Sequence, residues 1–192
     1  MSIWQPIARS FTAVCFLALV LLCPTRQAHA QVISVRAGYV TRVEGETWVR
    51  RHGATELSAL QQSDSLVRGD VVLTGNDGRA EMTLTPGSYM QVGPLAEVWI
   101  YAIEDDRIHF DILRGEVSAT IEGNIGDTPL VLDTPPAELD IVKRGHYILQ
   151  VAADGSTEAY VEAGELLFVD SNEVTVRLKK HKRVRFAAPA RR

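Results

Sequence analysis

Three carboxylates follow a glycine in the same short phrase: Gly69-Asp70-Val71, Gly115-Glu116-Val117 and Gly164-Glu165-Leu166. Carboxylate oxygens are the donors hard cations select, and a close pair can divide general-acid and general-base work. A calcium site needs a compact loop of converging oxygens, and none surrounds these three. Each reads more simply as a solvent-facing acid at a strand start, and Glu104-Asp105-Asp106 as a solvated turn tip. His52, His109, His146 and His181 are scattered, and none stands in a metal-ligand spacing. Serine and threonine are plentiful but sit in no nucleophile-elbow motif. The sequence thus assigns no catalytic residue, no metal ligand and no cofactor. A hydrolase assembled from distant groups is the third of three functional readings.

Two further groups could bind rather than react. Trp99 and Tyr101 fall on one face of an extended segment and could stack against a sugar ring or an apolar ligand. The alternate residues Val98, Ile100 and Ala102 are apolar too, which predicts a central strand covered on both faces, with both aromatics in the core. On an edge strand they would instead form an exposed patch needing a partner. From Arg177 onward the chain carries Lys179, Lys180, Lys182, Arg183, Arg185, Arg191 and Arg192 with no carboxylate, although the net charge is −4. This segment could meet lipid phosphates, anionic wall polymers or an acidic protein. Equally, its charges could keep an edge strand from aggregating.

The elements that hold these residues begin after a processing signal. Arg9 precedes an apolar run from Phe11 to Cys23, and Ala28-His29-Ala30 closes it with small residues. The run is shorter than the roughly 20 residues of a membrane span and fits a secretory signal cleaved between Ala30 and Gln31. A lipoprotein signal acylated at Cys23 is the competing reading, with Leu22 where a small residue belongs; an uncleaved anchor is a further one. Both cysteines, Cys15 and Cys23, lie inside the signal, so the processed chain has neither thiol chemistry nor disulfides. The expected compartment is the periplasm, which excludes nucleic acid as a partner, and no second membrane span follows.

The body reads as strands throughout. Val40, Trp48 and Val49 are core candidates in two strands around Val43-Glu44-Gly45-Glu46. Leu57 to Ser65 reads as a loop or the only short helical turn. Leu66 to Thr85 reads as a hairpin turning at Asp77-Gly78, with Ala80, Met82 and Leu84 on one face of its second strand. Further turns fall at Pro86-Gly87-Ser88 and Asp154-Gly155, and Leu130-Val131-Leu132 is a short buried run. The expectation is one all-β domain, residues 31–178, of about a dozen short strands in a sandwich or twisted solenoid-like arrangement. A basic tail, 179–192, follows, in which Val184 and Phe186 could support one last edge strand.

From Gly38 to about Asp170 the chain resembles the FecR domain family. The matching residues are Asp64-Ser65-Leu66, Arg68 through Thr74, Gly78-Arg79-Ala80, Gly87 through Gly93, Leu113 through Val117, Thr134-Pro135-Pro136-Ala137, Asp154 through Thr157 and Val161 through Glu165. The resemblance implies an all-β periplasmic domain, and in the best-known members a relay from an outer-membrane receptor to a cytoplasmic sigma factor. This sequence departs from those members: it shows no cytoplasmic anti-sigma segment, internal span or receptor-docking domain, and has His146 where threonine usually follows the glycine. The resemblance therefore implies a non-catalytic sensing or regulatory interaction module that binds a protein or another envelope component. Its candidate contacts are Lys179, Lys180, Lys182, Arg183 and Arg185 with Trp99 and Tyr101. A binder of peptidoglycan or another anionic glycan is the alternative.

Overall fold

The computed structural model describes residues 37–104, 106–122, 129–170 and 175–188. The chain divides into two units, Met1–Ser34 and Val35–Arg192, and every described residue belongs to the second. The expected signal and its Ala30/Gln31 junction lie outside the described residues, as do Arg191 and Arg192. Among the described residues no helix is long and apolar enough to cross a membrane.

The described residues form fifteen strands and no helix. They are β1 (Val40–Glu44), β2 (Thr47–Arg50), β3 (Ser58–Ala59), β4 (Val71–Thr74), β5 (Arg79–Thr85), β6 (Ser88–Val92), β7 (Glu97–Glu104), β8 (Arg107–Ile121), β9 (Leu130–Thr134), β10 (Ala137–Ile141), β11 (Gly145–Val151), β12 (Thr157–Ala163), β13 (Glu165–Asp170), β14 (Thr175–Lys179) and β15 (Lys182–Phe186). One sheet runs β3-β2-β4-β7-β8-β9-β10-β13-β14. The second runs β1-β5-β6-β8-β11-β12-β15. The shared strand β8 joins the two, and the array stays open rather than closing into a barrel. Pairing is antiparallel except between β8 and β9. The all-β expectation is met.

Alternation decides what the two sheets bury. Ala80, Met82 and Leu84 of β5, Val117, Ala119 and Ile121 of β8, and Tyr147, Leu149 and Val151 of β11 all enter one core. From the other sheet come Val72, Val98, Ile100, Phe110, Leu132, Leu139 and Phe168, in the same cluster. The edge-on contact of Phe168 with Phe186, ring centroids 4.6 Å apart, ties β13 to β15 across the sheets.

The repeated glycine phrase marks where the chain changes sheet. Gly115, at φ +90°, bends β8 so that its first half pairs with β7 and β9 and its second with β6 and β11. A Cβ there would lie 2.3 Å from the Cα of Ala96, so the packing as well as the dihedral requires glycine. Gly164, at φ +99°, is the single residue between β12 in one sheet and β13 in the other. The Tyr147 hydroxyl seals that corner: it donates to the Lys143 carbonyl and accepts from the Glu165 amide at 3.0 Å. Burial raises the Tyr147 pKa. Gly69 precedes the third crossing, where the chain leaves the flank of β1 (Tyr39 bridges Ser65) and enters β4.

Several expectations need correcting. The segment Leu66–Thr85 is no hairpin: β4 and β5 belong to different sheets, and Gly75–Gly78 is a corner between them. Hairpins do form at the other two expected turns, β5–β6 around Gly87 and β11–β12 around Gly155. No helical turn forms at Leu57–Ser65, which contains β3 instead. Trp48 is only half-buried, because it shares a face with Arg50 while Thr47 and Val49 point to the core.

Candidate functional site

Strand register aligns the functional side chains in two rows across the nine-stranded sheet. On the face away from the core, one row is Arg50, Val71, Trp99, Asp111, Asp133, Glu138 and Val169. The next is His109, Val131, Asp140, Leu167 and Arg177, with Tyr101 beside His109. Side chains in one row stand close enough to interact across strands.

β7 is central in its sheet, yet Trp99 is 41 % and Tyr101 39 % exposed, while Val98, Ile100 and Ala102 of the same strand are buried. The expectation that both faces are covered therefore fails. A strand can be interior in its hydrogen bonding and still turn one face to solvent, because no strand among the described residues packs over this face. Leu113, 44 % exposed, continues the apolar row on β8. Three shallow hollows meet here, one holding His52, Arg68 and both aromatics, one Arg50, Arg51, Trp99 and Leu113, and one Leu113, Asp111, Asp133 and Glu138. The Tyr101 ring touches His109, centroids 4.6 Å apart, and the guanidinium carbons of Arg68 and Arg107 each lie 5.6 Å from its centre.

Next to the aromatics lies a polar cluster that motif reading misses. The Nε2 of the buried His109 is 2.9 Å from Asp133 Oδ2 and 3.3 Å from Asp111 Oδ1, and its Nδ1 is 3.1 Å from Arg107 Nη2. A guanidinium only donates, so Nδ1 must accept and the single ring proton sits on Nε2, directed to Asp133. The other Asp133 oxygen, Oδ1, and Asp111 Oδ1 are sealed from solvent without a hydrogen bond. Burial raises the Asp111 pKa, and repulsion from Asp133 adds to it against the opposing pull of His109. Asp140 and Glu138 are raised by the same order of causes, burial first and the Asp133 charge second. The only sequence signal was the His109-x-Asp111 spacing of two, which puts both on one strand face. Asp133 arrives through a parallel pairing that no local pattern announces.

The phrase acids do not converge. Asp70 is fully buried, accepting from Arg51 Nη1 at 2.9 Å, the His52 amide at 2.9 Å and the Val67 amide at 3.1 Å. Glu165 is buried between Lys143 Nζ, at 2.8 Å, and Arg177. Both correct the solvent-facing expectation, which holds for Glu116. These two acids brace corners and have no free oxygen pair to offer a substrate. His146 is half-buried with Nδ1 2.9 Å from Thr120 Oγ1, and His181 stands exposed in the turn between β14 and β15 at φ +59°.

The basic segment forms two sheet edges as far as it is described. Lys179 ends β14, Lys180 lies in the turn, and Lys182, Arg183 and Arg185 belong to β15, paired with β12. Arg183 and Arg185 both bind Glu158, at 2.7 Å each, and Arg183 also lies over Tyr160. The hydrogen bond from Arg185 is the main reason the Glu158 pKa is lowered. The register thus places Trp99 and Tyr101 together in the first sheet, with Arg183 and Arg185 at the edge of the second.

The fold defines an open, two-sheet all-β domain with one aromatic face. No family model matches the chain, and no curated protein matches it. Among solved structures it is similar to two crystal structures, at 1.65 and 2.50 Å resolution, of a proposed anti-sigma factor from Parabacteroides distasonis ATCC 8503. Identity is 13 % and 14 %, the TM-score is 0.49 in both, and the match covers 62 % of this chain. The chain spans 60 % of the length of those proteins, and a likeness at this level carries no inference about activity.

Proposed function

We propose that the protein is a non-catalytic sensing or regulatory module of the bacterial envelope, and that it binds a protein partner through the outer face of the nine-stranded sheet. The observation that carries this reading is the exposed row Trp99, Tyr101 and Leu113 on the central strands β7 and β8. Interaction sites are enriched in aromatic residues and arginine, and Arg50, Arg51, Arg68 and Arg107 surround this row. Charge separates the partner classes. The same face carries Asp111, Asp133, Glu138 and Asp140 immediately beside the arginines, a pairing of signs suited to a protein surface. An anionic glycan would be repelled by those carboxylates, which weighs against the polymer-binding alternative.

The basic residues take a different role in this reading. Arg183 and Arg185 are already engaged by Glu158, and lysines and arginines along β14 and β15 keep two edges from pairing with other chains.

The test is capture of partners from intact envelopes by the full-length protein, its Trp99→Ala variant and its Arg183→Ala/Arg185→Ala variant. One specific protein lost with Trp99→Ala, by roughly tenfold or more for a central aromatic anchor, and kept with the double arginine variant supports the proposal. The reverse pattern, or recovery of wall polymer alone, overturns it.

A further inference from the structure

We propose that His109, Asp111 and Asp133 form a binding site for a divalent first-row transition metal ion of the zinc class, with a fourth position open to solvent. The argument begins with topology. His109 and Asp111 are two apart on β8 and so share a face, and the parallel register sets Asp133 of β9 directly beside Asp111. One nitrogen and two carboxylate oxygens, one from each residue, then lie within 4.8 Å of one another, with Nε2 at 2.9 and 3.3 Å from the two carboxylates. A tetrahedral ion with bonds of roughly 2.0–2.1 Å holds its ligands about 3.3 Å apart, so side-chain rotations suffice to close the site.

The donor set selects the ion. An imidazole with two carboxylates suits zinc and its neighbours, whereas calcium takes six to eight oxygens and magnesium keeps most of its water. The side chains of Asp111 and Asp133 are 23 % and 33 % exposed, so solvent can reach the fourth position, while His109 is nearly sealed.

The surroundings call for a cation as well. Asp133 Oδ1 is cut off from water with no hydrogen bond, and Asp111 Oδ1 is cut off with only the 3.3 Å approach of the His109 Nε2 that points to Asp133, a costly state that a metal ion would ease. Glu138 and Asp140 add two further acids on the neighbouring strand β10.

Arg107 opposes the ion in a definite way. Its hydrogen bond holds the ring proton on Nε2, where the metal must bind. Metal binding shifts that proton to Nδ1, and the exposed Arg107 must swing away, since two donors cannot face each other. Arg107 therefore keeps affinity down, and its removal strengthens the site.

The experiment is titration of the metal-stripped full-length protein with Co2+, read by the visible d–d absorption of a low-symmetry site, with Zn2+ competing. The expected result is one Co2+ per chain with that absorption, displaced by Zn2+. Affinity falls roughly tenfold or more in Asp133→Asn, which keeps shape and volume, and rises in Arg107→Ala. Far-UV circular dichroism of each variant separates lost ligation from lost fold, and Asp111→Asn is the second isosteric probe. Absence of the band, or binding that neither asparagine variant weakens, overturns the proposal. Partner capture through Trp99 is read separately, so either proposal can fail alone.

Discussion

At the scale of single residues, burial and charge pairing redefine the acids that the sequence offers as reactive. Glu165 sits between Lys143 and Arg177, and the hydrogen bond from Lys143 is the first reason its pKa is lowered. A carboxylate with a depressed folded pKa stabilises the protein above its unfolded value, and that contribution is lost as pH falls through the folded value. Glu165→Gln should therefore lower the melting temperature at pH 7. The gap from wild type should narrow as pH drops below the ordinary glutamate value of 4.5 and close once both forms are uncharged. Calorimetry at matched ionic strength checks this, and a gap independent of pH would mean that Glu165 acts through packing alone. Asp70, Glu116 and Glu165 share one phrase in the sequence, yet two are buried braces and one is exposed. Their difference depends on Arg51, Lys143 and Arg177, which are distant in sequence from the acids they meet.

At the scale of elements, the bends organise the site more than the strands do. β8 places His109 and Asp111 in one sheet and Val117 to Ile121 in the other only because Gly115 bends it. In Gly115→Ala the new methyl meets the Ala96 backbone and the positive φ is strained, a combination that should cost about 3 kcal/mol. Urea unfolding measures it; a cost below about 1 kcal/mol would show that the corner tolerates a side chain. Period-two alternation made the inner faces of β5, β8 and β11 legible, and turn chemistry made the hairpins at Gly87 and Gly155 legible. Gly69, Gly115 and Gly164 read only as residues before a strand start, because a sheet crossing and a turn need the same backbone freedom. β7 misled for a related reason: alternation separates two faces, but hydropathy does not say whether anything covers the second one. Parallel pairing of β8 with β9 depends on a connection through residues 122–129 and has no local signature, so the His109 cluster was illegible.

At the scale of the whole molecule, the two sheets divide the labour. The seven-stranded sheet ends in β15, whose arginines are spent on Glu158. The nine-stranded sheet turns its aromatic and acidic rows outward. Recognition at that outward face is the central claim, and site-specific photo-crosslinking in living cells tests it most directly. A photoreactive residue replaces Leu113, in the exposed row, or Gln150, exposed on β11 of the other sheet. The account predicts a discrete protein adduct from position 113 and none from position 150. No adduct at 113, or the same adducts from both positions, would contradict it.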